Sequence, residues 1–532
     1  MMSISASFAG YVVDPIVIPL LGGPAVHNDS PQAYFTTGLT VLLIPAALLF
    51  LWQTVLCHVL PKKEMTAAQR LVSEQTKPPA ISAFQLLYLP VFWLLRTAFW
   101  MSGPYFVPVY AKKAEGLISI DNVFRVGFAS AAVLLPAIAS IVSSSYTDEK
   151  SGTIAAAVFY ALGAASTQVS NLPLLLAGRG CGNIGTGLLN TMPEAWVSSE
   201  IQKTGADPYG RWLSKIFATA FAFDSIVAIL AGQVAAVAAE RIGGPEGPFQ
   251  VSPVFLAVAM VIIGLFWTDT DVPTDKDGGG DAKQTSNGLS LQDAANVFAS
   301  DTKVLLLGLV QCSFEAATYL FVLNQAQAIG GAVSASFGAD SKVPNGLVFA
   351  SYMTATLLGS CIYGHLSELR CRPEGILSVA IIVSAVALGA VGTLCSVESN
   401  LTGLTVAFFV FEVMAGLAKP SFSWLRSKYL PIRERSILMT AFSAVFNLLV
   451  LVISLSNNLI GDAGVWRAAS ALLVFAFVCL LQLRRIARQE AIDNAPRTWR
   501  RVRAKWVSIA RVMQIRRLVQ GIAKQAASEG IE

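Results

Sequence analysis

Residues 171–200 read NLPLLLAGRGCGNIGTGLLNTMPEAWVSSE, a mostly apolar stretch that is long enough to cross a bilayer as a helix. Arg179 and Glu194 lie inside it. A charged side chain is costly at the depth of the hydrocarbon core, and those that occur there usually face a protein interior or a water-filled cavity. These two residues are therefore candidate functional residues of a membrane protein.

The composition of the whole chain is that of an integral membrane protein. Apolar residues make up 54% of the 532 positions and charged residues 13%, and the mean hydropathy is +0.59. Soluble proteins usually carry about a quarter charged residues. The length of the chain therefore indicates how many membrane spans it can form, and not how many soluble domains it contains.

Apolar runs predict thirteen membrane-spanning helices. The first is predicted at residues 37–60, and twelve more fall into two groups of six, at 81–267 and 303–483. Residues 268–302, between the groups, are rich in Asp, Gly, Ser and Thr, which predicts a solvated cytoplasmic linker. Six helices, a polar linker and six more helices are typical of a carrier whose substrate site lies between two bundles near the membrane midplane.

The distribution of Lys and Arg predicts the orientation, because basic residues in short loops stay on the cytoplasmic side. Residues 1–36 contain neither, whereas the gap after the first helix contains Lys62, Lys63, Arg70 and Lys77. We therefore expect the N-terminus outside and the C-terminus in the cytoplasm. A cleaved signal peptide is the alternative for the start of the chain, but it would need a basic n-region. The plasma membrane and an endomembrane fit equally well.

Residues 484–532 form a basic tail in which Val502, Trp506, Ile509 and Met513 recur at helical spacing. This pattern predicts an amphipathic helix that lies on an anionic cytoplasmic leaflet. A disordered basic tail is the alternative. Nucleic acid is not an expected partner, because attachment to the membrane already accounts for the charge.

Motifs typical of enzymes, cofactor sites and metal sites are either missing from the sequence or occur in the wrong structural context. Residues 180–185 match the dinucleotide fingerprint, but they lie in a membrane helix instead of a βαβ unit. Close helix packing through Gly178 and Gly182 fits better. The cysteines and histidines are scattered without metal-ligand spacing. We therefore expect no enzymatic activity, no cofactor and no metal. A glycosylation sequon at Asn400 adjoins two predicted helix ends, which disfavours its use.

Further ionisable side chains are predicted at depth within the spans, from a helical rise of about 1.5 Å per residue. Besides Arg179 and Glu194, they are Arg96, Asp224, Glu315 and Glu412 near the middle, and Lys215 and Lys419 toward the cytoplasm. Two interpretations fit these positions: structural ion pairs between helices, and the walls of a polar cavity. A polar stripe on the helix of Glu315 favours the cavity. It consists of Gln311, Tyr319, Asn324, Gln325 and Gln327.

Several short motifs occur along the chain in a fixed order. They are Gly103-Pro104-Tyr105, Gly178-Arg179 with Gly182, Glu194-Ala195-Trp196 with Glu200, Gln311 with Phe314-Glu315, Leu357-Leu358-Gly359-Ser360, and the block Glu412, Gly416, Pro420, Leu425-Arg426, Lys428 and Pro431. Together they resemble the molybdate-anion transporter branch of the major facilitator superfamily, over roughly residues 81–460.

The resemblance implies an all-α integral membrane protein with the major facilitator fold, built from two six-helix bundles plus one extra N-terminal transmembrane helix. It also implies a secondary active transporter that moves a small anion, molybdate or a similar oxyanion, by alternating access, with the proton as the candidate coupling ion. The chain departs from the branch at Phe99, Pro193, Lys419 and Ser443, and in the shortened loop 148–152. These departures indicate either relocated charge partners or a different substrate.

An oxyanion needs preorganised hydrogen-bond donors, and an arginine supplies them in a rigid fork. The expected substrate ligands are therefore Arg96, Arg179, Gln311, Asn324 and Lys419. Arg179 and Glu194 are also candidates for a helix clamp or gate.

A dianion that enters against an inside-negative potential loses about 2.3 kcal/mol per charge per 100 mV, so its accumulation needs a coupled cation. Asp224, Glu315 and Glu412 are the candidate proton-coupling or ion-pair residues. Two other functions fit the chain. One is a carrier of the same fold for a sugar or an organic metabolite, and the other is a non-transporting membrane scaffold or solute sensor.

Overall fold

The computed structural model describes residues 30–52, 78–114, 118–145, 149–205, 207, 210–268, 291–394, 401–432 and 434–493. All regular elements within these ranges are helices. The chain divides into two compact units, Met1–Leu480 and Leu481–Glu532. The described part of the second unit, residues 481–493, is helical.

Fifteen α-helices are assigned within the described residues. They are α1 Pro31–Leu51, α2 Pro79–Ser102, α3 Phe106–Ala114, α4 Ile120–Ser145, α5 Glu149–Ser166, α6 Leu172–Lys203, α7 Arg211–Ile242, α8 Gly247–Phe266, α9 Leu291–Ser300, α10 Thr302–Phe337, α11 Asn345–Glu368, α12 Pro373–Leu394, α13 Leu401–Tyr429, α14 Arg435–Leu455 and α15 Asn457–Asp493. Eleven helical segments in the described part of the chain are apolar and long enough to cross a bilayer. The more polar α5 and α6 occupy two further positions that the sequence predicts as spans.

The first helix begins at Pro31, earlier than the predicted start at residue 37. The reason is a helix cap: the Ser30 Oγ accepts a hydrogen bond from the backbone N–H of Ala33 at 3.2 Å, and a proline at the first helical position needs no N–H partner. Residues 53–60 of the predicted helix lie outside the described residues.

Three other predicted segments differ from the structure or fall beyond it. A 3₁₀ turn at Gly103–Tyr105, which contains Pro104, separates α2 from α3 within the first predicted span of the N-terminal bundle. The predicted linker 268–302 contains a short helix, α9, directly before α10. Residues 494–532 of the predicted amphipathic tail, and the sequon at Asn400, lie outside the described residues.

The two bundles meet mainly along two helix pairs, α4 with α14 and α7 with α11. Aromatic side chains fill the interior of each bundle. In the N-terminal bundle the Trp196 and Trp267 rings stack with their centres 3.8 Å apart. In the C-terminal bundle Phe321 contacts the rings of Phe408, Phe411 and Trp466. The polar side chains described below lie where the two bundles face each other.

The extra helix α1 lies across the pairing of α7 with α11. Its Ala46 is fully buried in a cluster with Ala222 of α7 and with Leu357 and Cys361 of α11. Near its end, the Phe50 ring packs against the ring of Phe223 on α7 at 5.1 Å. Helix α1 therefore contacts both bundles, although it precedes the N-terminal bundle in the chain.

Helices α11 and α13 pack at backbone contact, and we expect a substitution of Gly359 by alanine to separate them. A methyl group at Gly359 would overlap the carbonyl oxygen of Val413, and one at Gly416 would overlap the carbonyl oxygen of Thr356. Overpacking of this kind costs about 1–3 kcal/mol. The thermal unfolding midpoint of the purified protein should fall for Gly359→Ala. The midpoint of Gly346→Ala, on the same helix with open space around the glycine, should stay unchanged; equal midpoints for both variants would contradict the packing argument.

Candidate functional site

A small cavity with both polar and aromatic side chains in its lining lies between the two bundles. It is formed by α4 and α6 from the N-terminal bundle and by α10 and α14 from the C-terminal bundle. Its lining consists of Phe128, Arg179, Asn183, Thr186, Gly187, Asn190, Tyr319, Phe446 and Asn447. The volume is about 30 Å³, room for about two water molecules. None of these lining residues is an Asp or a Glu, so the cavity presents one positive charge and several hydrogen-bonding groups.

Arg179 carries the positive charge of this cavity. Its guanidinium carbon lies 4.6 Å from the ring centre of Phe106 and 4.8 Å from that of Phe124. Such contacts hold a guanidinium in place and leave its charge uncancelled. The side chain is 7% exposed, its Nε has no hydrogen-bond partner, and no carboxylate among the described residues pairs with it. Arg179 is therefore available to an anion.

Arg96 forms a two-pronged ion pair with Asp224. Its Nε donates to Oδ1 at 2.8 Å and its Nη2 to Oδ2 at 2.9 Å, and the indole of Trp100 also donates to Oδ1 at 2.8 Å. The remaining Nη1 donates to the Asn190 Oδ1 at 3.1 Å. Because the Asn190 oxygen is engaged by Arg96, its amide nitrogen remains as a donor for the cavity. Arg96 does not itself line the cavity and orients a residue that does.

The charge of Lys419 acts on two carboxyl groups, Glu315 and Glu412, that form no ion pair among the described residues. Its ammonium nitrogen is 5.9 Å from the ring centre of Trp100. The charges of Arg426, Lys419, Glu194 and Arg96 act on Glu315, and that of Lys419 acts on Glu412. The Thr356 hydroxyl donates to Glu412 at 2.8 Å. Within the described ranges, Glu315 makes neither a hydrogen bond nor an ion pair.

Glu194 joins the two bundles. The Arg426 Nε donates to its Oε1 at 2.6 Å and Nη2 to its Oε2 at 2.5 Å, while the Ser423 hydroxyl donates to Oε2 at 2.6 Å. Both charged residues are at most 6% exposed. Farther along the same side, the Gln202 amide donates to the Ser427 carbonyl at 2.5 Å. These contacts close the space between α6 and α13.

On the other side of the cavity, the bundles are joined by Arg125. Its Nη2 donates to the backbone carbonyl of Ser454 at 2.8 Å. This contact connects α4 to the end of α14. The cavity therefore lies between two sets of contacts that link the bundles.

Comparison with known proteins assigns the chain to a family. Residues 54–416, more than half of the chain, match the family model MFS_5, described as sugar transporters with 12 transmembrane segments. The chain belongs to this family of the major facilitator superfamily. It is accordingly a multi-pass membrane transporter, and the predicted fold of two bundles with an extra N-terminal helix is confirmed.

Relatives of this major facilitator protein carry the name that the sequence motifs predicted. The molybdate-anion transporter of Xenopus laevis is 25% identical over 476 residues, 86% of this chain and 97% of the relative. The molybdate-anion transporter of Danio rerio is 25% identical over 484 residues, 85% of this chain and 97% of the relative. The predicted resemblance to this branch is thus confirmed.

Solved major facilitator structures share the fold at low sequence identity. The transporter FucP in its outward conformation has a TM-score of 0.57 at 16% identity, over 75% of this chain and 99% of FucP. The human organic anion transporter MFSD10 (TETRAN) has a TM-score of 0.54 at 15% identity, over 76% of this chain and 100% of that structure. These likenesses establish the architecture alone.

Of the five predicted substrate ligands in this major facilitator protein, Arg179 lines the cavity. Gln311 is 5% exposed, with its Oε1 unpaired, and does not line the cavity. The Asn324 amide donates to the Leu320 carbonyl of its own helix at 2.8 Å. Arg96 lies behind Asn190, and Lys419 lies against Trp100. Their roles as ligands remain predictions.

Four polar lining residues were missed by the sequence analysis. Asn183, Thr186 and Asn190 follow Arg179 at spacings of four, seven and eleven, so they share its face of α6. That spacing was a usable signal. Asn447 offered no such signal: its amide nitrogen donates to the Ser443 carbonyl at 2.6 Å, and only the pairing of α4 with α14 brings it to the cavity.

Proposed function

We propose that the protein carries a small tetrahedral oxyanion, molybdate or a similar anion, across the membrane by alternating access, driven by protons. The observation that carries the proposal is the cavity: an uncompensated guanidinium and several amides, with no carboxylate in the lining. An oxyanion has only acceptor oxygens and needs this set of donors. The names of the relatives support the same substrate.

Two sets of inter-bundle contacts support alternating access. Glu194–Arg426 and Gln202–Ser427 close one side of the cavity, and Arg125–Ser454 closes the other. With room for about two water molecules, the cavity is smaller than four oxygens around a central atom require. An anion therefore enters only when one of these sets opens, and it leaves when the other does.

Glu315 is the proposed main proton carrier. It forms no ion pair among the described residues, and the charges of Arg426, Lys419 and Arg96 act on it. When Glu315 is protonated, these cations are left with less negative charge around them, which favours binding of an anion. When it is ionised, it repels the anion toward release. Protonation and anion binding are thus coupled through the local charge.

Uptake into proteoliposomes tests this function. We expect the purified protein to take up radiolabelled molybdate when the outside is more acidic, with competition by tungstate and sulfate and little competition by neutral sugars. Glu315→Gln should reduce accumulation at least about tenfold under a gradient of one pH unit, because one coupled proton is worth a factor of ten per pH unit. Glu240→Gln, an exposed residue on α7, is the control. Absence of uptake for all oxyanions would refute the proposal.

A neutral sugar is the second candidate substrate. The matching family is described as sugar transporters, and the cavity combines the amides of Asn183, Asn190 and Asn447 with the rings of Phe128 and Tyr319. Amides and aromatic faces suit hydroxyl-rich ligands. The unpaired charge of Arg179 favours the anion instead, and uptake of a labelled sugar without competition by oxyanions would reverse this preference.

A further inference from the structure

Eight charged side chains of α2, α6, α7, α10 and α13 form a set in which the charges balance. Four are cationic and four are anionic: Arg96, Arg179, Lys419 and Arg426, and Glu194, Asp224, Glu315 and Glu412. Arg125 and Arg435 also link the bundles, but they lie near the starts of α4 and α14 and are not counted in this set. With all carboxyl groups ionised, the net charge of the set is zero.

Half of this set is locked in two-pronged ion pairs. Arg96 binds both oxygens of Asp224, and Arg426 binds both oxygens of Glu194. These two pairs have no net charge, and removing one partner from such a pair leaves a buried charge uncompensated. Within this set of eight, the charge outside the two ion pairs is carried by Arg179, Lys419, Glu315 and Glu412.

A dianion changes the balance of these four residues. If Glu315 and Glu412 stay ionised, a bound dianion adds two negative charges to a set that is already neutral, in a site largely shielded from water. If both carboxyl groups are protonated, the two charges of the anion match the charges of Arg179 and Lys419. If only one is protonated, one negative charge remains in excess, and buried uncompensated charge is strongly unfavourable.

We propose, on the basis of the function proposed above, that each dianion crosses the membrane with two protons, one on Glu315 and one on Glu412. The loaded set and the empty set then both have zero net charge. Neither the transport step nor the return step moves net charge through the membrane potential. Transport of the dianion is therefore electroneutral.

The charged and polar groups around Glu315 and Glu412 are arranged so that protonation of one carboxyl affects protonation of the other. Glu315 is reached by the charges of Arg426, Lys419, Glu194 and Arg96. Glu412 is reached by Lys419 and accepts a hydrogen bond from Thr356, and its charge in turn acts on the buried hydroxyl of Tyr352, which has no hydrogen-bond partner. Lys419 acts on both carboxyls, so a proton on one of them leaves Lys419 more available to the other and to the anion.

The ratio of protons to anions is measurable in wild-type proteoliposomes. The probe is radiolabelled molybdate, and the potential is clamped with potassium and valinomycin. At zero potential, accumulation at equilibrium should rise about 100-fold per pH unit of imposed gradient for two protons and about tenfold for one. We expect the 100-fold dependence and no change of accumulation with an imposed potential. A tenfold dependence, or accumulation that falls with an inside-negative potential, overturns the proposal.

Variants assign the two protons to residues. Glu412→Gln should reduce the dependence to about tenfold per pH unit and make accumulation fall with an inside-negative potential, because one negative charge then moves with each cycle. Glu240→Gln should retain the wild-type dependence. If accumulation by Glu412→Gln depends on the pH gradient as in the wild type, Glu412 does not carry the second proton, and the assignment is overturned. If the wild type takes up no oxyanion, the proposed function itself fails, an outcome distinct from uptake with another proton ratio.

Discussion

Replacing Arg179 by glutamine is expected to raise the apparent KM for oxyanion uptake at least about 30-fold, because truncating one partner of a buried charge pair costs about 2–5 kcal/mol. Arg179 supplies the positive charge in the lining of the cavity. Its guanidinium is held between the rings of Phe106 and Phe124, so a neutral amide at this position would lose both the charge and the fork of donors. Initial rates over a range of molybdate concentrations measure the effect.

Two further variants separate anion binding from a structural role of Arg179. Arg179→Lys keeps the charge but loses the planar fork, and its KM should lie between those of the wild type and Arg179→Gln. Arg241→Gln, at an exposed position on α7, should transport like the wild type. If Arg179→Gln has the wild-type KM with a lowered unfolding midpoint, Arg179 stabilises the helices and does not bind substrate.

The architecture was predictable from the sequence because a bilayer allows few alternatives. Backbone polar groups in hydrocarbon must bond within their own segment, so apolar runs of membrane length are read as helices. The helix α6 and the charged residues inside it followed directly from residues 171–200. The start of α1 was less predictable, since the cap at Ser30 precedes the apolar run on which the prediction of residues 37–60 was based.

The partners of the buried charges were not predictable in the same way. Arg96 and Asp224 are separated by 128 positions, and Glu194 and Arg426 by 232. Depth along each helix placed them at comparable levels, but pairing depends on how each helix is rotated about its axis. Hydropathy says little about rotation in a helix such as α6, where residues 191–201 are all buried. Asn190 shows the limit: its spacing from Arg179 indicates the shared face of α6, but its hydrogen bond with Arg96 of α2 could not be read from the sequence.

Glu194→Gln is expected to open the protein on the side of the cavity where α6 meets α13. The substitution leaves the guanidinium of Arg426 buried without its bonded counter-charge, which costs the closed state about 3–5 kcal/mol. A state in which α6 and α13 separate lets water reach Arg426 and avoids this cost. Three kcal/mol corresponds to a shift of more than about 100-fold in the ratio of the two states.

A cysteine at Ser427 reports this opening. Ser427 is 5% exposed on α13, and its hydroxyl donates to the Trp424 carbonyl instead of to the charged pair. In Ser427→Cys protein, added Glu194→Gln should accelerate labelling by a water-soluble maleimide relative to Ser427→Cys alone, with the parent protein lacking this cysteine as the blank.

The double variant Glu194→Gln/Arg426→Gln separates loss of the ion pair from the presence of an unpaired charge. Because it buries no lone charge, its unfolding midpoint should lie closer to that of the wild type than the midpoint of Glu194→Gln does, and its labelling rate should be intermediate. Both bundles would then still meet through Gln202 and Ser427. Equal labelling with and without Glu194→Gln would mean that the Glu194–Arg426 pair does not control opening on this side, and that other contacts between the bundles hold it closed.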